Sequence, residues 1–107
     1  IMKICMIGSG YVGLVSGACF ADLGNMVTCV DINREIIEKL NKGTIPIYEP
    51  GLKELVVRNL KKKRFLFSTD ISSSIKKSDI IFICVGTPTK NNKADLKQVF
   101  NVIKSIK

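Results

Sequence analysis

The 107-residue chain has room for one domain of ordinary globular composition, with 46% apolar and 24% charged residues. No run approaches the roughly 18 consecutive apolar residues of a membrane span, and the first residues do not have the pattern of a secretory signal. The net charge of +8 is spread over the predicted helices and no aromatic platform accompanies it, so charge alone gives little support to nucleic-acid binding. The absence of His removes the commonest metal ligand and the commonest general base. We expect a cytoplasmic protein without a membrane, nucleic-acid or metal partner.

The beginning of the sequence predicts two strands on either side of a helix of small residues. Lys3 to Ile7 is a short apolar run that stops at Gly8, which is typical of a buried parallel strand. The stretch from Tyr11 to Leu23 is rich in glycine and alanine, and it predicts a helix that lies close to a sheet. Met26 to Val30 predicts a second strand, with Asp31 at its end.

The next segment predicts two helices separated by a loop. Asn33 is placed to cap a helix that continues to Leu40. Two prolines indicate a loop over 44–50, and apolar residues then repeat at helical spacing over 52–60. The basic cluster 61–64 closes this helix, where cations favour the negative end of the helix dipole. We interpret the cluster as a solvated helix end, with an anion-binding patch as the alternative.

Two further strands are predicted in the second half of the chain. Phe65 to Phe67 is a short strand, and Ser72 to Lys77 is a short polar helix or turn. The residues from Asp79 to Val85 form the most apolar run, which predicts a central strand covered on both faces. A loop over 86–94 follows. Apolar residues at helical spacing then indicate a last amphipathic helix, namely Leu96, Val99, Phe100 and Ile103.

This alternation of strands and helices predicts an α/β fold. Crossover connections between strands give a doubly wound parallel sheet of the Rossmann type, with helices on its faces. Such a domain normally has about six strands, and the sequence predicts about four. We therefore interpret residues 1–107 as one incomplete Rossmann domain that forms the first part of a larger protein.

A glycine motif at the end of the first strand indicates nucleotide binding. Gly8, Gly10 and Gly13 form GxGxxG between a strand and a helix, and Asp31 ends the next strand. The first glycine permits a tight turn, the second lets backbone approach a pyrophosphate, and the third lets the helix pack against the sheet. The helix N-terminus offers free N–H groups to phosphate. The alternative, a glycine turn beside a surface aspartate, fits this spacing poorly.

Asp31 also bears on the choice of cofactor. Its carboxylate is placed to accept hydrogen bonds from the adenosine ribose, and it would repel the 2′-phosphate of NADP. Arg34 could accommodate that phosphate, lie against the adenine or neutralise Asp31. We favour NAD. Thr87 lies in the loop after the fourth strand, where it could offer a hydroxyl to cofactor or substrate or belong to a plain strand exit.

The four cysteines, Cys5, Cys19, Cys29 and Cys84, are far apart in the sequence and form no CxxC pair. Three of them lie in predicted strands, where a free cysteine behaves as a small buried hydrophobic residue. We therefore expect reduced core thiols, none of which acts as a nucleophile.

These motifs together resemble the UDP-glucose/GDP-mannose dehydrogenase family, and most closely its UDP-glucose 6-dehydrogenase members. The matching stretches occur in the family's order and cover nearly the whole chain. They are GSGYVGLVSGACFADLGNMVTCVDIN over 8–33, LNKGTIPIYEPGL over 40–52 and DIIFICVGTPTKNNKADL over 79–96. Residues 90–93 are more basic than the Gly- or Asp-containing segment that the family would lead one to expect.

The resemblance implies an NAD site that includes Gly8, Gly10, Tyr11, Val12, Gly13, Asp31, Arg34 and Thr87. It also implies that the full-length enzyme oxidises the C6 alcohol of UDP-glucose to a carboxylate with two NAD, for polysaccharide synthesis. The family's nucleophilic cysteine and sugar-binding residues correspond to nothing in this chain. We therefore assign no catalytic residue, and we expect the chain alone to be inactive and the full-length protein to form a homodimer.

Two other functions stay open at this stage. The chain can belong to an enzyme that oxidises UDP-N-acetylmannosamine or GDP-mannose instead, because the residues that choose the sugar are missing. It can also be a Rossmann module that binds a nucleotide without a redox step. The EPGL and VGTP segments favour the dehydrogenase, since a generic binding module has no need of them.

Overall fold

A computed structural model describes residues 1–85, 89–90, 93–94, 101 and 104 of the chain. Up to residue 85, its helices and strands agree with the predicted ones to within two residues at each boundary. In chain order they are β1 Lys3–Ile7, α1 Tyr11–Asp22, β2 Met26–Val30, α2 Arg34–Asn41, α3 Leu52–Lys61, β3 Phe65–Ser68, α4 Ile71–Lys76, β4 Ile80–Ile83, β5 Thr89–Lys90 and β6 Lys93–Ala94.

The last two strands were not expected. The sequence predicted a loop over 86–94, but β5 and β6 pair as a short antiparallel ribbon within it. Two residues per strand are too few to leave an alternating apolar pattern in the sequence. The residues that indicated the last helix, Leu96, Val99, Phe100 and Ile103, lie outside the described residues.

The four longer strands form one parallel sheet in the order β3-β2-β1-β4. Ile7 at the end of β1 is in register with Val30 of β2 and with Ile83 of β4. The carboxyl ends of these three strands therefore lie side by side at one end of the sheet. This arrangement confirms the predicted Rossmann-type α/β fold with about four strands.

The position of β4 differs from the prediction. Among the described residues β4 pairs with β1 alone and forms an edge of the sheet, and Ile80, Phe82 and Ile83 are each between 36% and 37% exposed. The prediction of a central strand covered on both faces is therefore wrong for the described part of the chain. A continuous run of apolar residues indicates a buried strand, but it does not show whether the strand has a neighbour on one side or on both.

Helices cover both faces of the sheet. On one face α1, α2 and α3 pack against alternate residues of the strands, including Met6, Cys29 and Phe65. On the other face Ile71 and Ile75 of α4 pack against the small cluster formed by Cys5, Ile7 and Val30. Within the described residues, no helix is both long enough and apolar enough to span a bilayer.

The small residues of α1 bring it close to the sheet, as predicted. A Cβ atom at Gly17 would lie 3.1 Å from the Phe65 ring and 3.3 Å from the Met6 side chain. Ala18 and Ala21 are fully buried on the same side of the helix. Larger residues at these positions would force the helix away from the strands that carry the glycine turn.

Polar side chains cap the N-termini of two helices, and the sequence predicted one of these caps, Asn33. The Asn33 side chain accepts a hydrogen bond from the Ile36 N–H at 3.2 Å and caps α2. Asp70 caps α4 in the same way, because its carboxylate accepts from the Ser73 N–H at 3.0 Å. The α3 helix ends in the basic cluster, where Lys63 has a positive φ of 58°.

A buried polar side chain, Asn59, joins three elements, and nothing in the sequence pattern indicated it. The side chain is fully buried, and its amide donates to the Asp22 carboxylate at 3.2 Å and to the Leu55 carbonyl at 2.9 Å. Its carbonyl oxygen accepts two hydrogen bonds from Arg64, at 3.0 and 3.2 Å. Arg58 adds a salt bridge to Asp22 at 2.9 Å. Arg64, predicted as part of a solvated cluster, thus also links β3 to α3.

Candidate cofactor-binding site

The glycine turn after β1 is held between the ends of two neighbouring strands. Gly8 has a φ of +112°, and its N–H donates to the carbonyl of Val30 at 2.7 Å. A Cβ atom on Gly8 would lie 2.6 Å from the carbonyl oxygen of Cys84, just after β4. Both the positive φ and the lack of space require glycine here. The predicted tight turn is therefore confirmed, and its cause lies in both flanking strands.

Gly13 has a more specific reason to be glycine than the one predicted. The sequence suggested that it lets the helix approach the sheet, but a Cβ atom there would overlap the backbone carbonyl oxygen of Gly8. The same atom would lie 3.4 Å from Cβ of Cys84. Gly13 therefore allows α1 to pack directly on the turn that precedes it.

Gly10 stands in open surroundings at the start of α1. Its backbone is extended, with φ −71° and ψ −169°, and among the described residues no atom outside its chain neighbours lies within 4 Å of the position that a Cβ would take. In that part of the chain no side chain caps α1, and no acidic residue lies in its first turn. The first N–H groups of the helix therefore have no side-chain acceptor there, and together with the positive dipole end they suit a phosphate group.

Asp31 is hydrogen-bonded to the glycine turn through Ser9, a residue that the GxGxxG motif does not specify. Both the Ser9 hydroxyl and the Ser9 N–H donate to Oδ2 of Asp31, at 2.6 and 3.1 Å. Oδ1 accepts from the Asn33 N–H at 2.9 Å. Ser9 is buried and Asp31 is half-buried. The x positions of GxGxxG have no fixed residue type, so no sequence signal pointed to this contact.

These hydrogen bonds favour the ionised form of Asp31. Burial taken alone would raise the pKa of Asp31, but the Ser9 hydroxyl and the N–H groups of Asn33, Ser9 and Ile32 outweigh it and hold the pKa below its usual value. The carboxylate is therefore negative at neutral pH. A fixed negative charge at this place suits ribose hydroxyls and opposes a phosphate.

Tyr11 and Val12, the first residues of α1, are both exposed. The Tyr11 hydroxyl donates to the Glu49 carboxylate at 3.1 Å, so it joins α1 to the loop between α2 and α3. This hydrogen bond and the charge of Glu49 raise the pKa of Tyr11 above its usual value. The contact connects two segments on which the family resemblance rests, GYVG and YEPGL.

Two predicted site residues remain, Arg34, which follows the carboxyl end of β2, and Thr87. Arg34 is the first residue of α2 and is exposed, and within residues 1–85 the one salt bridge is Arg58–Asp22. Arg34 therefore does not neutralise Asp31 in the described structure. Thr87 lies outside the described residues. The residue before its loop, Val85, has its nitrogen 3.1 Å from the Gly8 Cβ position, so this loop begins beside the glycine turn.

Two of the four cysteines are core thiols, as expected. Cys5 and Cys29 are buried, and burial raises the pKa of Cys5 to about 11 and that of Cys29 to about 12. Both are protonated at neutral pH and therefore poor nucleophiles. Cys84 is half-buried, and its pKa is also raised by burial. The prediction thus holds for two of the three cysteines of the predicted strands, and Cys19, which lies on α1, is exposed.

The metal-binding potential of the described residues is low. Across those positions, no three His, Cys, Asp or Glu side chains come together in a way that would hold a metal ion. The site therefore consists of a glycine turn, a helix N-terminus and a fixed carboxylate, which are features that bind a dinucleotide.

Comparison with known proteins decides the family. The NAD-binding domain model of the UDP-glucose/GDP-mannose dehydrogenase family matches residues 2–107. The chain belongs to this family. The match confirms the resemblance seen in the motifs, and it confirms NAD as the cofactor of this domain.

Individual family members agree with this result. The chain is 54% identical over 105 residues to UDP-glucose 6-dehydrogenase TuaD of Bacillus subtilis, covering 97% of this chain and 23% of that protein. It is 50% identical over 107 residues to the UDP-glucose 6-dehydrogenase of Rhizobium meliloti, covering 98% and 24%. The crystal structure of GDP-mannose dehydrogenase from Pseudomonas aeruginosa superimposes with a TM-score of 0.94 and 39% identity, covering 98% and 24%. The chain thus spans about a quarter of the length of these relatives.

Proposed function

We propose that this chain is the NAD-binding portion of a UDP-glucose 6-dehydrogenase, which oxidises UDP-glucose to UDP-glucuronate with two NAD and so supplies a nucleotide sugar for polysaccharide synthesis. The observation that carries the proposal is the 54% identity to a relative of that name over nearly the whole chain. Identity to the GDP-mannose dehydrogenase structure is lower, at 39%.

The glycine turn and the start of α1 form the pyrophosphate subsite in this proposal. Gly10 supports it, because the space that faces Gly10 is open and backbone can approach the ligand there. Tyr11 and Val12 in the first turn of α1 are exposed, and the N–H groups of this turn are the donors that the proposal assigns to the pyrophosphate. Gly8 and Gly13 act by making the turn and the helix fit together.

The nucleoside subsite is formed by Asp31 and Arg34 in this proposal. Asp31 accepts a hydrogen bond from an adenosine ribose hydroxyl, and Arg34 lies close to the adenosine. Thr87 lies near the cofactor, in the loop that begins beside Gly8. NAD supplies the hydride acceptor of the reaction, while these residues bind and orient it.

Residues 1–107 form one domain in this proposal, and the groups that bind the sugar and attack it belong to the part of the relatives that this chain does not span. No residue of the chain is assigned a catalytic role, and the chain alone is inactive as a dehydrogenase. We further propose that the full-length protein is a homodimer in the cytoplasm, where free thiols such as Cys5 and Cys29 stay reduced.

The test is NADH production by the full-length protein, offered UDP-glucose, UDP-N-acetylmannosamine and GDP-mannose in separate reactions. We expect two NADH for each UDP-glucose consumed and little product from the other two sugars. NADH from one of the other sugars alone would transfer the proposal to that substrate. NAD binding without NADH from any of them would favour a non-catalytic nucleotide-binding module.

A further inference from the structure

The hydroxyl of Ser9, which lies between two glycines of the turn, is turned away from the open side of the turn and toward Asp31. Ser9 is 5% exposed, and its hydroxyl points back into the protein, to Oδ2 of Asp31. The backbone N–H of the same residue donates to the same oxygen. Ser9 therefore fixes the position of the carboxylate relative to the turn with two hydrogen bonds.

These contacts divide the acceptor capacity of the carboxylate unequally. An ionised carboxylate has about four acceptor positions, two on each oxygen. Ser9 fills both positions on Oδ2, Oδ1 accepts a hydrogen bond from the Asn33 N–H, and the Ile32 N–H makes a smaller contribution to the carboxylate. Because Oδ2 has no position left, Oδ1 is the oxygen that a ribose hydroxyl can approach. Without the Ser9 hydroxyl, the two oxygens would become more nearly equivalent and the carboxylate would be freer to rotate.

We propose that Ser9 is a positioning residue that selects NAD over NADP by orienting Asp31, so that Oδ1 faces the adenosine ribose. The inference rests on the proposed role of Asp31 as the ribose partner. The Ser9 hydroxyl is already bound to Asp31, so it acts through the carboxylate and not by contact with the cofactor. Because Ser9 also belongs to the turn, it couples the ribose subsite to the pyrophosphate subsite.

The two cofactors respond differently to this orientation. NAD gains a hydrogen bond from a correctly oriented carboxylate, whereas NADP meets a fixed negative charge where its 2′-phosphate must lie. A carboxylate that can rotate forms a weaker hydrogen bond with the ribose of NAD, and it repels the 2′-phosphate of NADP less strongly. Loss of the Ser9 hydroxyl should therefore lower the ratio of NAD to NADP affinity, whereas general damage to the turn would weaken both cofactors alike.

The experiment measures the dissociation constants of NAD and NADP by calorimetry on the full-length protein and its Ser9→Ala variant. We expect NAD binding to weaken by roughly tenfold, since hydrogen bonds to charged groups are among the stronger ones, and NADP binding to change by less than about twofold. Ser16→Ala is the matched control, because it removes the hydroxyl of a half-buried serine of α1 outside the motif. That variant should leave both constants unchanged.

A pH series gives a second readout. The Ser9 hydroxyl helps to lower the pKa of Asp31, so its removal raises that pKa. Because ribose binding needs the ionised carboxylate, NAD affinity in Ser9→Ala should begin to fall at a higher pH during acidification than it does in the unmodified protein. In an Asp31→Ala background, Ser9→Ala should have no further effect on NAD affinity.

Equal weakening of NAD and NADP in Ser9→Ala, or an unchanged pH profile, would overturn the inference. Ser9→Gly, which retains the N–H and also lacks the hydroxyl, provides the same test if the alanine variant does not fold. The proposed function fails separately, if the unmodified full-length protein does not bind NAD. A protein that binds NAD with an affinity ratio insensitive to Ser9 would refute the positioning role alone.

Discussion

Substitution of two glycines of the same motif, Gly13 and Gly10, should affect different properties of the protein. At Gly13 a Cβ atom would overlap the carbonyl oxygen of Gly8, a backbone atom that cannot move without disturbing the turn. At Gly10 no other described residue, its chain neighbours apart, lies within 4 Å of the same position, and the backbone is in an extended conformation that any residue adopts. We therefore expect Gly13→Ala to damage the fold and Gly10→Val to damage NAD binding.

The size of the Gly13 effect follows from the rigidity of its neighbours. Overpacking a tight site typically costs about 1–3 kcal/mol, and a backbone neighbour that cannot rotate away places Gly13→Ala at about 2 kcal/mol or more. By the usual conversion, that value corresponds to amide exchange roughly 30-fold faster in α1 and β1. Gly10→Val should leave exchange in these elements within about threefold of the unmodified protein, because surface substitutions are usually worth less than about 0.5 kcal/mol.

Hydrogen–deuterium exchange on the full-length protein, followed by mass spectrometry of peptides that cover residues 3–22, measures the first effect. Calorimetric titration with NAD measures the second, where Gly10→Val should weaken binding by more than about tenfold because its side chain enters the space used by the pyrophosphate. Tight NAD binding by Gly10→Val would refute the location of the pyrophosphate subsite. Unchanged exchange in Gly13→Ala would show that α1 can move off the turn without cost, contrary to the packing described.

Three further changes test other parts of the structure. Asp31→Ala should lower the ratio of NAD to NADP affinity, measured by calorimetry on the full-length protein, and an unchanged ratio would exclude Asp31 as the ribose partner. Asn59→Ala should lower the free energy of unfolding, measured in urea, by about 2–4 kcal/mol, because it removes four hydrogen bonds from a fully buried position. The control is Asn41→Ala, which removes one hydrogen bond of 3.5 Å at an exposed residue and should lower the free energy of unfolding by less than about 0.5 kcal/mol. Glu49→Gln should lower the pKa of Tyr11 in an NMR titration, because both the hydrogen bond and the charge of Glu49 favour the protonated phenol; a pKa that stays put would place the two side chains apart in solution.

Much of the site could be predicted because its residues serve backbone geometry or charge at fixed spacing. The positions of Gly8, Gly13 and Asp31 follow from the demands of a strand, a turn and a helix in succession, and the structure brings all three together. Ser9 could not be predicted. Its contribution is a hydrogen bond to a residue 22 positions away, and serine between glycines is equally compatible with a solvated turn.

The errors in the fold have a similar origin. The apolar run that became β4 correctly indicated a strand, but its neighbours depend on residues elsewhere in the chain, so an edge could not be told from a centre. Asn59 lies among residues at helical spacing and reads as an ordinary polar position of a surface helix. Its burial depends on Asp22 and Arg64, which come from α1 and the start of β3.

The order of the strands explains why the proposed pyrophosphate and ribose subsites lie next to each other. Because β1 lies between β2 and β4, the Gly8 N–H donates to the Val30 carbonyl on one side of the turn, and on the other side the Cys84 N–H donates to the Ile7 carbonyl. The residue after Val30 is Asp31, so the carboxylate arrives next to the turn as a consequence of strand register. The Ser9 hydroxyl then converts this proximity into a fixed orientation. With Asp31 in the ribose-binding role that we propose, substitutions that shift β2 relative to β1 should alter the preference between NAD and NADP without touching Ser9 or Asp31.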